Sequence, residues 1–274
     1  FPYTTLCRSF EEAGGVAEGL VEPPPLVGRE RRGEVRLIAL AVGSWRLAYG
    51  VLALGFVPVA VALWRLDFPE LSGVERPLRL EDVRRVLGRT EVVGASVALF
   101  VSGGVEGGLF TWLPYYARTV LPPSTANLTL SVFVLGYIPG RLVYSRITER
   151  VGYLPLVITL SVGGAGVLAA VLTLTGTPLL VAVFLLGVLW SGVFPTLAAY
   201  AMSAVPSYGG PVNAVTTGAG YFGLAVFPPL MGLVLERSGV EAALSVLPVL
   251  AAATGLCLVA TFLAVRRRGH AAPV

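Results

Sequence analysis

The chain has 274 residues, of which 55% are hydrophobic and 13% charged, with a formal net charge of +4. This composition is more apolar than that of soluble globular domains and is typical of a polytopic membrane protein. The arginines are scattered along loops without a basic stripe or interleaved aromatic residues, which excludes a nucleic-acid-binding surface.

Cysteine and histidine usage gives no sign of a bound metal. The chain has two cysteines, Cys7 and Cys257, and one histidine, His270, and none of them is spaced like a metal ligand. We therefore expect no metal and no cofactor.

The first 46 residues precede the first complete apolar stretch. Residues 1–9, FPYTTLCRS, resemble the translation of a sequencing adaptor, so we expect them to be an artefact that takes no part in the fold. Residues 10–46 begin polar and rich in Gly and Pro, which predicts a loop or the end of a truncated preceding helix. We expect the chain to be a fragment whose true N-terminal part is missing.

Seven apolar stretches follow that are long enough to cross the hydrocarbon core as helices, which takes about 20 residues. Their continuous hydrophobicity lacks the alternation of a barrel strand, so the expected fold class is all-α, a polytopic membrane helical bundle. The stretches are Leu47–Trp64, Val92–Ala117, Thr125–Val143, Leu154–Leu174, Leu179–Met202, Asn213–Leu235 and Ala242–Val265. They predict one helix over residues 47–64, a linker over 65–91, a six-helix bundle over 92–265 and a tail over 266–274.

The arginines orient this bundle. If the linker is cytoplasmic, twelve arginines lie on its side of the membrane and only Arg118 and Arg237 lie in loops on the other. The positive-inside rule then puts the C-terminus in the cytoplasm, and we expect a bacterial inner membrane. Within the linker, apolar residues recur at helical spacing from Leu80 to Leu87, which favours a surface amphipathic helix and a solvated connector equally.

Glu106 lies near the middle of the second apolar stretch. A charged side chain at membrane depth costs roughly 2.5–3.5 kcal/mol and by default marks an ion or substrate pathway. Removal from water disfavours the charged form of a carboxylate, so such a group can bind and release a proton during a transport cycle. The alternative is that Glu106 bonds to a neighbouring helix and only fixes packing.

The layout of one span, a long charged loop and six closely spaced spans resembles the major facilitator superfamily, from about Trp45 to Arg268. The resemblance makes the first span the last helix of the N-terminal half and the other six the complete C-terminal half. Trp45-Arg46-Leu47-Ala48-Tyr49 is similar to the start of the family's sixth helix. Gly140-Arg141-Leu142 with Glu149-Arg150-Val151-Gly152 is similar to the family's charged loop motif, although Ser145 and Tyr153 depart from it.

Within the superfamily, the chain resembles the fucose/glucose-galactose proton symporter group. The resemblance is carried by the order of three short motifs. They are Gly104-Val105-Glu106-Gly107-Gly108 before Trp112-Leu113-Pro114-Tyr115-Tyr116, then Phe194-Pro195-Thr196-Leu197, then Gly220-Tyr221-Phe222-Gly223 followed by Pro228 or Pro229 and Gly232. It implies a proton-coupled symporter for a small polar solute such as a sugar, with the solute, a proton, the lipid bilayer and the missing N-terminal half as partners.

Four residues are candidates for the solute or proton site: Glu106, Trp112, Asn213 and Tyr221. Trp112 would stack on a sugar ring or belong to the interfacial aromatic belt. Asn213 and Tyr221 share one helix face, which would line a cavity or pack against another helix. Five further residues form the candidate gating loop, or simply anchor the inside helix ends: Arg141, Arg146, Glu149, Arg150 and Gly152.

These features favour a secondary active transporter of the major facilitator type. A metabolite or drug exporter of the same superfamily is the first alternative. A membrane scaffold or intramembrane enzyme is the second, but an enzyme needs several polar groups at one depth and the spans offer only Glu106, so we expect no enzymatic activity.

Overall fold

The computed structural model of the chain describes residues 45–66 and 86–267. The predictions for residues 1–44, for residues 67–85 of the linker with most of its amphipathic segment, and for the tail after residue 267 lie outside the described residues. The chain divides into two compact units, residues 1–71 and 72–274, which are described separately.

The described part of the first unit is helix α1 (Trp45–Arg65), 21 residues long with Pro58 inside it. Its side chains from residue 53 onward are exposed, including Leu54, Phe56 and Trp64. A helix that is apolar on all sides is suited to burial in lipid or among other helices.

The second unit is a bundle of helices. They are α2 (Thr90–Val120), α3 (Pro123–Ala126), α4 (Thr129–Leu135), α5 (Tyr137–Val151), α6 (Tyr153–Val171), α7 (Gly176–Trp190), α8 (Val193–Ala204), a 3₁₀ turn (Pro206–Tyr208) and α9 (Gly209–Arg267). The described residues form no β-strand, and they contain 5 helical stretches long and apolar enough to cross a membrane. The predicted all-α membrane bundle is confirmed.

Helix α9 is two helices that meet at Gly239. The 59 residues of α9 are helical except at Gly239, where φ is 84° and ψ is 173°, a conformation open only to glycine. The last two predicted spans are therefore joined by a single-residue bend, and five helical stretches provide six crossings. The polar residues at this bend, Glu236, Arg237 and Glu241, are helical, so the loop predicted around Arg237 is reduced to Gly239.

Glycines bring α2 and the first arm of α9 into direct backbone contact. A Cβ atom on Gly223 would collide with the carbonyl oxygen of Phe100, and one on Gly103 would collide with that of Gly220. A Cβ atom on Gly107 would come within 2.8 Å of the Leu224 carbonyl oxygen. We call Gly103, Gly107, Gly220 and Gly223 the α2–α9 seam, because close backbone approach through small residues is what holds membrane helices together.

A second set of glycines does the same between α4, α5 and α7. A Cβ atom on Gly136 would lie 2.7 Å from the backbone nitrogen of Val188, and one on Gly140 would lie 2.6 Å from the Val188 carbonyl oxygen. On the facing helix, a Cβ atom on Gly187 would collide with the carbonyl oxygen of Phe133. We call Gly136, Gly140 and Gly187 the α5–α7 seam.

Candidate functional site

A cavity of about 750 Å³ lies among α2, α5, the start of α6, α7, α8 and the first arm of α9. Its wall combines carboxylates, hydroxyl groups, one guanidinium and several aromatic rings. It is lined by Gly103, Glu106, Tyr137, Arg141, Tyr144, Ser145, Thr148, Glu149, Tyr153, Trp190, Ser191, Gly192, Phe194, Pro195, Thr196, Ala199, Gly220, Tyr221 and Leu224.

Glu106 is half-buried on the α2 wall of this cavity. Its neighbours on the helix, Gly103 and Gly107, belong to the α2–α9 seam, so the packing of α9 fixes the backbone that carries the carboxylate. The Tyr137 hydroxyl of α5 donates a hydrogen bond to Glu106 Oε1 at 2.9 Å. The carboxylate is therefore held between two helices and still faces the cavity.

The ring of Tyr137 is held on two sides. The Phe133 ring meets it edge to face with 5.3 Å between ring centroids, and the guanidinium of Arg141 lies over it, 5.5 Å from its centroid. Tyr137 and Arg141 are four residues apart and so share one helix face. Each directly follows a glycine of the α5–α7 seam, which fixes the side of α5 that meets the cavity.

The other side of the cavity lies at a break between α7 and α8. The predicted span Leu179–Met202 lies within one apolar helical stretch, Gly176–Ala204, in which α7 ends at Trp190 and α8 begins at Val193. Pro195 accounts for the break, because its ring has no N–H to donate and would clash with the carbonyl group four residues earlier. The break, Ser191 and Gly192, lines the cavity.

Of the four candidates for the solute or proton site, Glu106 and Tyr221 line the cavity. Trp112 and Asn213 are not among its lining residues. The Trp112 indole nitrogen donates to the Pro228 carbonyl oxygen at 3.0 Å, and Asn213 is exposed and accepts a hydrogen bond from the Thr217 hydroxyl at 3.2 Å. Trp112 thus joins α2 to α9.

Four of the five candidate gating residues lie within helix α5 and not in a loop. Arg141 and Glu149 line the cavity, whereas Arg146 is exposed and donates to the Leu142 carbonyl oxygen of its own helix at 3.4 Å. Arg150 lies in the last turn of α5. Gly152, with φ at 86°, makes the one-residue connection to α6.

Several cavity residues escaped the sequence interpretation, chiefly Tyr137, Tyr144, Tyr153 and Ser191. Tyr137 lies inside an apolar stretch, and Tyr144 and Tyr153 lie directly beside one, so each tyrosine resembles an interfacial aromatic residue. The sequence feature that points to Tyr137 is a pair of glycines, Gly136 and Gly140, each directly before a large polar side chain.

The described residues hold no group of three or more His, Cys, Asp or Glu side chains that could bind a metal ion. The cavity instead offers hydrogen-bonding groups and aromatic faces, which suit an organic solute. The two carboxylates on its wall are Glu106 and Glu149.

Sequence comparison gives one family match. The model of the family described as Major Facilitator Superfamily matches residues 95–274. An uncharacterized protein of Archaeoglobus fulgidus is 32% identical over 108 residues, which are 39% of this chain and 48% of that protein. The chain spans about half the length of this curated relative.

Two solved structures share the fold. A Major Facilitator Superfamily transporter, FucP, in the outward conformation superposes with a TM-score of 0.67 at 15% identity, over 86% of this chain and 58% of FucP. A variant of the Escherichia coli fucose:proton symporter FucP gives 0.63 at 16% identity, over 86% and 59%. The predicted family resemblance is confirmed, and the fold is a partial bundle of this type.

Proposed function

Because the chain belongs to the major facilitator superfamily, we propose that it is the C-terminal portion of a secondary active transporter that moves a small polar solute together with a proton. The chain is an integral membrane protein. The excess of arginine on one side supports a cytoplasmic C-terminus, and we propose a bacterial inner membrane as its location.

The observation that carries this proposal is the position of Glu106. It is a half-buried carboxylate within a membrane-spanning helix, on the wall of a cavity of about 750 Å³. A carboxylate costs free energy at this depth, and it can repay that cost by exchanging protons with the cavity. Such a group is what proton coupling needs.

The wall of the cavity supports a hydroxylated solute such as a sugar. Tyr144, Tyr153 and Thr196 bring hydroxyl groups to it, and Trp190 and Phe194 bring aromatic faces on which the apolar face of a sugar ring can stack. FucP, which shares the fold, is described as a fucose:proton symporter.

The alternative of a metabolite or drug exporter is favoured by a specific feature of the same wall. Six aromatic side chains line it: Tyr137, Tyr144, Tyr153, Trp190, Phe194 and Tyr221. A wall this rich in rings also suits a larger, more apolar solute. Competition between sugars and apolar compounds for the same site separates the two functions.

We further propose that an N-terminal half completes the site. Solutes in this superfamily bind near the bilayer midplane between two six-helix halves, and the two FucP structures extend well beyond the matched region. The first arm of α9 has strongly exposed aromatic residues, Tyr221 and Phe222, which a second half would cover.

The test uses the full-length protein that contains this chain, purified and reconstituted in proteoliposomes. Uptake of labelled fucose, glucose and galactose is measured with and without an imposed proton gradient. We expect gradient-driven accumulation of at least one sugar, abolished by Glu106→Gln and retained by Glu241→Gln, which removes an exposed carboxylate on the second arm of α9.

Undiminished gradient-driven uptake by Glu106→Gln would contradict the assignment of Glu106. No uptake of any sugar, together with gradient-driven extrusion of a lipophilic cation dye, would favour the exporter.

A further inference from the structure

The hydrogen bond between Tyr137 and Glu106 joins two helix pairs of the bundle, which also meet where the Phe110 ring of α2 lies edge to face against the Phe133 ring of α4. Glu106 belongs to α2, which the α2–α9 seam ties to the first arm of α9. Tyr137 begins α5, which the α5–α7 seam ties to α7. The hydroxyl lies 2.9 Å from the carboxylate oxygen, so this bond spans the boundary between the two pairs at the cavity wall.

We propose that Tyr137 is a positioning residue of the proton site, whose hydroxyl holds the charged Glu106 against α5 and converts the arrival of a proton into a loosening of α2 from α5. The proposal rests on the proposed function, because it takes Glu106 as the group that carries the proton.

Binding of a proton to Glu106 weakens its hydrogen bond to Tyr137. A hydrogen bond to a carboxylate is roughly twice as strong as one between neutral groups. When Glu106 binds a proton, its bond to Tyr137 becomes a neutral one. This change weakens the connection between α2 and α5.

The ring and the backbone of Tyr137 are both held in place by their neighbours. Its ring lies between the edge contact of Phe133 and the guanidinium of Arg141, and the backbone on either side is pressed against α7 at Gly136 and Gly140. A change in the bond to Glu106 therefore acts on α5 as a whole, because the side chain has little freedom to move alone.

The other ionisable groups that line the cavity come from three helices. Arg141, Tyr144 and Glu149 come from α5, Tyr153 from α6 and Tyr221 from α9, while the described lining of α7 and α8 adds no ionisable side chain. Glu149 lies 12 residues after Tyr137, or about 18 Å further along the helix axis. Glu106 is thus the carboxylate that Tyr137 contacts.

The first experiment needs no solute. Infrared difference spectra of the full-length protein in detergent are recorded between neutral and acidic pH. The carboxylate bands missing from Glu106→Gln belong to Glu106. We expect Tyr137→Phe to change their separation, since one oxygen loses its donor, and Tyr144→Phe, a matched change in the same helix and cavity, to keep the wild-type separation.

The second experiment measures the helices. Spin labels on Val97→Cys in α2 and Leu142→Cys in α5, both exposed positions, report the distance between these helices in a protein without its native cysteines. We expect acidification to change this distance in the wild-type background and with Tyr144→Phe. Glu106→Gln and Tyr137→Phe should each abolish the change.

Two results would contradict the proposal. If the Glu106 bands of the wild-type protein do not change on acidification, both the proton role of Glu106 and this inference are wrong. If those bands do change, but Tyr137→Phe behaves like the wild type in both experiments, only this inference is wrong. Tyr137→Phe keeps the ring that contacts Phe133 and Arg141. If it nevertheless fails to fold, Glu106→Asp withdraws the carboxylate by one methylene and should give the same two effects.

Discussion

The indole nitrogen of Trp112 donates a hydrogen bond to the carbonyl oxygen of Pro228 at 3.0 Å, and the same ring lies against Gly232. Trp112 thus joins α2 to the first arm of α9, at a position outside the cavity lining. We expect Trp112→Phe, which removes this donor, to cost about 1 kcal/mol of stability. Thermal unfolding in detergent should shift down by about 2–4 °C.

The matched control for this change is Tyr115→Phe, which alters an exposed ring beside Trp112 and should leave the unfolding temperature unchanged. A normal unfolding temperature for Trp112→Phe combined with a loss of sugar uptake would instead favour direct contact between Trp112 and the solute.

The α2–α9 seam leaves no room for a side chain at Gly223. An added methyl group would collide with the Phe100 carbonyl oxygen, so α2 and α9 would have to separate. Overpacking of this kind costs about 1–3 kcal/mol. We expect Gly223→Ala to lower the thermal unfolding temperature in detergent.

Gly218 lies in the same helix five residues earlier and provides the control, because a Cβ atom there has nothing within 4 Å. Gly218→Ala should therefore keep or slightly raise stability, as Ala is the better helix former. Equal unfolding temperatures for Gly223→Ala and Gly218→Ala would show that α2 and α9 are not in close backbone contact at Gly223.

Gly192 lies at the break between α7 and α8 and faces Tyr144 across the cavity wall. A Cβ atom there would come within 2.5 Å of a Tyr144 ring carbon and 2.9 Å of the Leu160 side chain. We expect Gly192→Ala to displace the Tyr144 ring and to weaken sugar binding severalfold, measured as a rise in the half-saturating concentration for uptake.

The control for this variant is Gly166→Ala, where a new methyl group meets open space. The double variant Tyr144→Phe with Gly192→Ala keeps the ring carbon that the new methyl group meets. If its half-saturating concentration equals that of the wild type, displacement of this ring is not the cause of the weaker sugar binding.

Asn213 and Tyr221 share a face of α9 but differ in their relation to the cavity. Tyr221 lines it, whereas Asn213 lies two turns earlier and bonds to Thr217. We expect Tyr221→Ala to lower the initial rate of sugar uptake severalfold and Asn213→Ala to leave it within about twofold, since a bond at an exposed position is worth little. If Asn213→Ala lowers the uptake rate more than Tyr221→Ala does, the solute binds nearer the start of α9.

Much of this architecture could be predicted from the sequence, because membrane crossings depend on length and hydrophobicity, which are local properties. Glu106 could be found for the same reason: a carboxylate inside an apolar stretch is conspicuous by itself. The break at Ser191 and Gly192 could not, since hydropathy stays high across it and Pro195 is equally compatible with a kinked but continuous helix.

Tyr137 was beyond the reach of sequence reasoning for a different reason. Its relation to Glu106 depends on how α5 is rotated, and that rotation is set by backbone contacts of Gly136 and Gly140 with a helix some 50 residues away. The hydrogen bond of Trp112 has the same origin: its partner is a backbone carbonyl on another helix, which the sequence around Trp112 does not reveal.

The two glycine seams also bear on how this protein tolerates genetic change. At Gly103, Gly187 or Gly223 every possible substitution adds volume against a backbone carbonyl that cannot turn aside. A saturation mutagenesis experiment should therefore find these positions as intolerant as Glu106, although they carry no chemical group at all. Intolerance to substitution in this chain will mark contact between helices as often as it marks chemistry, and only a readout that separates abundance from transport will tell the two apart.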